Sequence, residues 1–140
     1  KHDSNLVSTM QDSYNRSKHS ITRLQVHLVF VVKYRKQVLQ PEHHARLKGI
    51  FRDVGRKMNF SVVECDGEAD HVHLLVTYPP QLPISKIVNH LKGVSSRLLR
   101  KEYGIRPHAN HFWSPSYFAV SCEGAPIEVL KAYIQSQGKV

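Results

Sequence analysis

The stretch that decides the fold is Glu68–Tyr78, EADHVHLLVTY. Its two histidines, His71 and His73, sit on alternate positions of an otherwise apolar run that follows Asp70. In an extended strand, residues i and i+2 point to the same face. His71 and His73 are therefore expected to project together, with Val72, Leu74 and Val76 pointing the other way. One imidazole in an apolar setting is ordinary. Two side by side suggest a shared metal ion.

Working outward, the segment RLQVHLVFVVKYR places Leu24, Val26, Leu28, Phe30 and Val32 on one face, as a first strand does. Pro41 opens a helical stretch in which Leu47, Ile50, Phe51, Val54 and Met58 form an apolar stripe. FSVVEC reads as a second strand, and the Asp-Gly of DGEAD as the turn of a hairpin into the histidine strand. After YPPQLP, Pro83 stands where a second helix begins. Ile84, Ile87, Val88, Leu91, Val94, Leu98 and Leu99 give it an apolar face, and Gly104 is its stop. YFAVSC reads as a fourth strand, EGAP as a hinge with Gly124 able to adopt unusual angles, and Pro126 as the opening of a last helix.

The order is strand, helix, strand, strand, helix, strand, helix. This predicts an α+β fold: a ferredoxin-like (RRM-like) antiparallel sheet with helices on one face, plus a C-terminal helix carrying Tyr133. Residues 1–20 are expected to be a polar tail and residues 21–140 one domain.

Composition agrees with a nucleic-acid partner. The chain has 140 residues, 20 Lys and Arg against 11 Asp and Glu, and a formal charge of +9. That balance calls for an anionic partner. No apolar run approaches the ~20 residues of a membrane helix. With no apolar signal core at the N-terminus, the expected location is cytoplasmic. Cys65 and Cys122 are expected as reduced thiols inside strands.

On the last helix, Tyr133 and Gln137 are four apart and share a face. Taken alone, such a Tyr is a half-buried core residue and such a Gln a solvated end. Beside a His-x-His strand they permit another reading. Two imidazoles and an amide oxygen can hold a divalent ion with positions open for a phosphate oxygen. A phenol, whose ordinary pKa is about 10, becomes a nucleophile there once it loses its proton.

HVH matches the His-hydrophobic-His signature of the HUH nucleases. Together with VHLVFVVKYRKQVL, LKGVSSRLLRKEY, FWSPSYF and YIQSQ, in order and correctly spaced, it makes residues 22 to about 138 resemble the TnpA-type single-tyrosine transposases. These move insertion sequences as single-stranded DNA. The resemblance implies a ferredoxin-like fold, His71, His73 and Gln137 as ligands of Mg²⁺ or Mn²⁺, and Tyr133 as nucleophile of a 5′-phosphotyrosine intermediate. It further implies single-stranded DNA with subterminal hairpins as partner, and a homodimer whose active sites are shared between subunits. Two departures, Phe30 for a Trp and Val94 for a small or basic residue, bear on DNA contacts and not on the chemistry.

Lys33, Arg35, Lys36, Lys92, Arg97 and Arg100 are candidates for phosphate contacts. Tyr34, Phe112 and Trp113 are candidates for base stacking, although Phe112 and Trp113 equally suit the core. His27, His108 and His111 carry no assignment. Other readings are a domesticated relative acting on genomic repeat hairpins, and a non-catalytic nucleic-acid-binding module of the same fold. The module would rely on central aromatics rather than on paired His. A binuclear metallohydrolase is disfavoured because Leu75 stands where an Asp would be needed.

Overall fold

The computed structural model describes residues 23–121 and 127–137, with side chains lacking description at 127–131. The expected tail, Cys122 and the hinge around Gly124 lie outside these residues. Four strands are present: β1 (Leu24–Val31), β2 (Ser61–Glu68), β3 (His71–Tyr78) and β4 (Phe118–Ser121). The helices are α1 (Pro41–Met58), α2 (Ile84–Tyr103) and α3 (Ile127–Gln137). All strand pairs are antiparallel, in the order β2-β3-β1-β4. This is the ferredoxin-like order expected from the sequence, with α3 appended.

Alternation along the central strands divides the sheet. Val26, Leu28, Phe30, Val72, Leu74 and Val76 join Leu47, Ile50, Phe51, Ile87, Val88, Leu91 and Leu99 in one buried cluster under α1 and α2. Each fully buried side chain of this kind contributes about 1.5–3 kcal/mol relative to exposure. Phe30 stacks edge-on against Phe51 and packs beside Trp113, so this departure from the family pattern belongs to the core. Val94 packs against the same cluster. Phe112 and Trp113 are 2% and 4% exposed, so they plug the core and are not stacking surfaces. The Trp113 indole donates to the buried Ser95 hydroxyl at 3.0 Å.

Local chemistry sets the helix limits. Pro41 takes the first turn of α1, where no N–H is needed. The His43 ring accepts the Gln40 N–H at 2.9 Å, forming half of a capping box. Gly104 ends α2 in the left-handed region, φ 68°, donating to the Arg100 carbonyl. Arg46 grips Glu102 through two bonds of 2.7 and 2.8 Å and ties α1 to α2.

The β2–β3 hairpin corrects one expectation. Asp66 and Gly67 are not the turn: they lie within β2, opposite His73 and Val72, and the chain reverses at Ala69 and Asp70. The reason is a close backbone approach. A Cβ at position 67 would lie 2.2 Å from the His71 carbonyl oxygen, so glycine serves strand pairing here, not turn geometry.

Candidate active site

The second sheet face carries the polar residues. His71 and His73 point there from β3, opposite Val31 and Val29 of β1 and opposite Glu68 and Asp66 of β2. Their rings are stacked with centroids 6.1 Å apart. They line a cleft of about 720 Å³ together with His27, Arg35, Asp70 and, from α3, Ile134 and Gln135. His27, unassigned from sequence, thus shares the cleft with the pair.

Asp70 organises this cleft. Its Oδ1 accepts from His71 Nδ1 at 2.9 Å, and its Oδ2 accepts from Arg35 Nε at 2.8 Å. Burial pushes the Asp70 carboxyl up, but the hydrogen bonds from His71 and Arg35 outweigh it and hold the group below its ordinary value. With Nδ1 committed to a carboxylate, His71 has Nε2 for the cleft, the orientation that metal-bound histidines adopt. His73 is held below the ordinary imidazole value, first by desolvation and then by its neighbour His71. A neutral imidazole is the form that ligates metal.

The pair therefore suits a divalent ion as two nitrogen donors with one orienting carboxylate. Among the described residues, no group of three or more His, Cys, Asp and Glu side chains could hold a metal. A third donor must be of another type or be brought in.

α3 meets this cleft with a different side from the one that carries Tyr133 and Gln137. Gln135 Oε1 accepts from Arg35 at 3.2 Å. Tyr133 and Gln137 turn to the loop before β4. The Tyr133 hydroxyl is 3.2 Å from Ser116 Oγ, and its ring packs 5.4 Å from that of Phe118. The Gln137 amide oxygen accepts from both Ser114 and Ser116. Burial raises the Tyr133 phenol above its ordinary value, and the Ser116 bond offsets this only in part. The structure thus joins His71 to His73 and Tyr133 to Gln137, and neither Tyr133 nor Gln137 lines the cleft of the histidines.

The basic residues divide. Lys36 and Arg97 are exposed. Arg35 is committed to Asp70 and Gln135. Lys92 reaches the carbonyl oxygens of Ser114 and Ser116 at 2.7 and 3.2 Å, and burial pushes its ammonium down to about 8. It holds the loop that α3 docks on, rather than presenting its charge outward as a phosphate contact requires. Asp70, Ser114, Ser116 and Gln135 were not singled out in the sequence. The only signals were an Asp directly before the His pair and the serines of FWSPS.

Comparison with known proteins fits this geometry to a class. The family described as "Transposase IS200 like" matches residues 20–137, and the chain belongs to it. That is a family of DNA transposases. The ISDra2 transposase TnpA of Deinococcus radiodurans is 34% identical over 120 residues, 84% of this chain and 86% of that one. The transposase for insertion sequence element IS200 of Salmonella typhimurium is 30% identical over 122 residues, 85% and 80% of the two chains. A crystal structure of a candidate transposase from Deinococcus radiodurans R1 has a TM-score of 0.76 at 32% identity, covering 84% of this chain and 92% of that one. A REP-associated tyrosine transposase bound to a REP hairpin has a TM-score of 0.56 at 13% identity, over 79% and 62%, and shares the fold. No helix among the described residues is long and apolar enough to cross a membrane.

Proposed function

We propose that this chain is a metal-dependent single-stranded DNA transposase. It cleaves and rejoins DNA at insertion-sequence ends through a 5′-phosphotyrosine on Tyr133, in the cytoplasm. One observation carries the reading: His71 and His73 stand side by side in a cleft roofed by the helix of Tyr133, in a chain of a transposase family.

His71 and His73, with the Gln137 amide oxygen, would hold Mg²⁺ or Mn²⁺, which when bound supplies Lewis-acid polarisation and charge stabilisation at phosphorus. Asp70 keeps His71 in one tautomer and one orientation. Tyr133 loses its phenolic proton to solvent and its oxygen attacks phosphorus. The Oη–P bond forms as the P–O3′ bond breaks, and the 3′ oxygen takes up a proton and leaves as a hydroxyl. In rejoining, a 3′-hydroxyl attacks the same phosphorus and returns the phenol. Bond energy is conserved in the ester, so no ATP is needed. Substrates are single strands whose subterminal hairpins position the cleavage site.

The docked helix is a resting arrangement in this scheme, because Ser114 and Ser116 engage both Gln137 and Tyr133. Activity requires α3 to turn on its own sheet or to cross to that of a second copy. A homodimer with crossed helices supplies the second route, each site taking its His pair from one protomer and its Tyr from the partner. Denaturing gels of protein incubated with single-stranded insertion-sequence ends test the chemistry. Tyr133→Phe keeps the ring and should leave no covalent protein–DNA adduct. An adduct of undiminished yield moves the nucleophile elsewhere, with Tyr117 and Tyr103 next. Mixing Tyr133→Phe with His71→Ala protein, each inactive alone, should partly restore cleavage. Persistent inactivity after demonstrated subunit exchange removes the crossed arrangement alone.

A further inference from the structure

The turn after β1 is strained in a way that the core does not account for. Tyr34 and Arg35 follow one another at φ 59° and 54°, left-handed values that residues with a Cβ avoid. Flanking backbone bonds fix the turn: Lys33 N–H to the Phe112 carbonyl, Arg35 N–H to the Val32 carbonyl, and Ser114 N–H to the Val31 carbonyl. This backbone sends two consecutive side chains to different places. Arg35 goes inward to the cleft and Asp70. Tyr34 goes outward and stays 45% exposed, so burial does not offset the cost of its conformation. Strain of this kind concentrates at functional positions.

Outside, the Tyr34 ring begins a row. The His108 ring meets it edge-on, with centroids 5.7 Å apart and planes 67° apart. His111 follows, stacked on His108 at 5.8 Å with planes 16° apart. The Lys33 ammonium sits 4.8 Å from the Tyr34 centroid. His111 then forms one wall of a separate shallow groove with Asn110, Lys92, Ser96 and Arg100. Arg100 Nε is buried without a hydrogen-bond partner among the described residues. The row therefore runs from the turn that also sends Arg35 into the cleft to a groove lined by Lys92 and Arg100.

We infer that Tyr34, His108 and His111 form a stacking rail that carries unpaired bases of single-stranded DNA between the histidine cleft and the groove beside Arg100. The inference rests on the single-stranded-DNA reading above and adds to it the path of the strand. Faces of successive rings accept any base, whereas Lys33 and Arg100 answer the phosphates. A duplex does not fit this use, because its bases present no exposed faces.

The test separates the ring from the fold. Tyr34→Gly removes the ring and also relieves the left-handed strain, so the thermal midpoint should hold or rise. Affinity for a short oligothymidylate, measured by fluorescence anisotropy with chelator present, should fall roughly ten-fold. Tyr34→Phe should bind as wild type does. Wild-type protein should also bind an oligonucleotide with consecutive abasic positions more weakly than its intact counterpart, and Tyr34→Gly should hardly distinguish the two. Equal binding of the intact strand by wild type and Tyr34→Gly overturns the rail. So does a loss in Tyr34→Gly that persists undiminished on the abasic strand, since the ring then acts on something other than a base. Absence of any single-strand binding by wild type instead overturns the functional reading on which the rail stands.

Discussion

The two faces of the sheet are built from the same strands and obey different rules. Under α1 and α2, β3 contributes Val72, Leu74 and Val76 to a continuous apolar cluster. On the other face the same strand contributes His71 and His73 to a cleft with charged walls, and α3 meets it through Ile134, Gln135 and side-chain hydrogen bonds. One face holds the fold together by excluding water. The other keeps polar groups oriented, and the described part of its helix meets it through the Tyr133 ring on Phe118 and through hydroxyl and amide contacts whose individual net worth is about 0.5–1.5 kcal/mol.

Substitutions on neighbouring residues of β3 put this contrast to its hardest test. His73→Ala or His71→Ala should abolish single-strand cleavage, as chelation should, while leaving hairpin binding close to wild type, and His73→Ala should also leave the thermal midpoint close to wild type. Leu74→Ala, one residue along, should cost about 2–5 kcal/mol of stability and leave cleavage per folded molecule unchanged. Denaturant titration and gel-based cleavage on the same preparations read both quantities. If His73→Ala costs as much stability as Leu74→Ala, the open face is structural and the division fails.

A smaller effect sharpens the role of the carboxylate behind the pair. Asp70→Asn keeps the shape of the side chain but removes its charge, loosening both His71 and Arg35. Orienting partners of metal-bound histidines are worth ~10–100-fold in metal affinity or activity. The expected signature is a raised Mn²⁺ requirement for cleavage with little change in the maximal rate. An unchanged Mn²⁺ requirement would remove Asp70 from the site.

The smallest effect belongs to the covered face. Burial pushes the Cys65 thiol from 9.0 up to about 11. Folded protein keeps this thiol protonated where the unfolded chain loses the proton. Its contribution is therefore complete below pH 9, and it is lost as pH climbs from 9 toward 11, at no more than about 1.4 kcal/mol per pH unit. Urea midpoints measured across that window should fall faster for wild type than for Cys65→Ala. Parallel curves would show that the thiol is not shielded by the core.

Much of the covered face was legible because burial there imposes periodicity. Spacing of two gave the β3 faces, and helical spacing gave Leu47, Ile50, Phe51 and Val54 on α1 and Ile87, Val88, Leu91 and Leu99 on α2. Periodicity also showed that His71 and His73 share a side and that Tyr133 and Gln137 share a side. It could not show which side of α3 meets the sheet, because that depends on the loop serines and on Arg35, distant in sequence. The Asp66–Gly67 pair misled for a related reason. Glycine serves turns and close backbone approaches alike, and only the His71 carbonyl distinguishes them. The left-handed turn at Tyr34 and Arg35 left no signal at all, since neither residue favours it.

Lys92 ties the two faces together in one further respect. Rooted in α2 on the covered side, its ammonium holds the carbonyl oxygens of Ser114 and Ser116, the two residues whose hydroxyls receive α3. That anchor does not involve α3. The receptacle is therefore held from α2 and not by the helix it receives, as a socket is held by its wall and not by its plug. A helix supplied by a second copy, as the proposed dimer requires, would meet the same seat. In the proposed crossed dimer, exchange between copies would break and remake the same set of contacts.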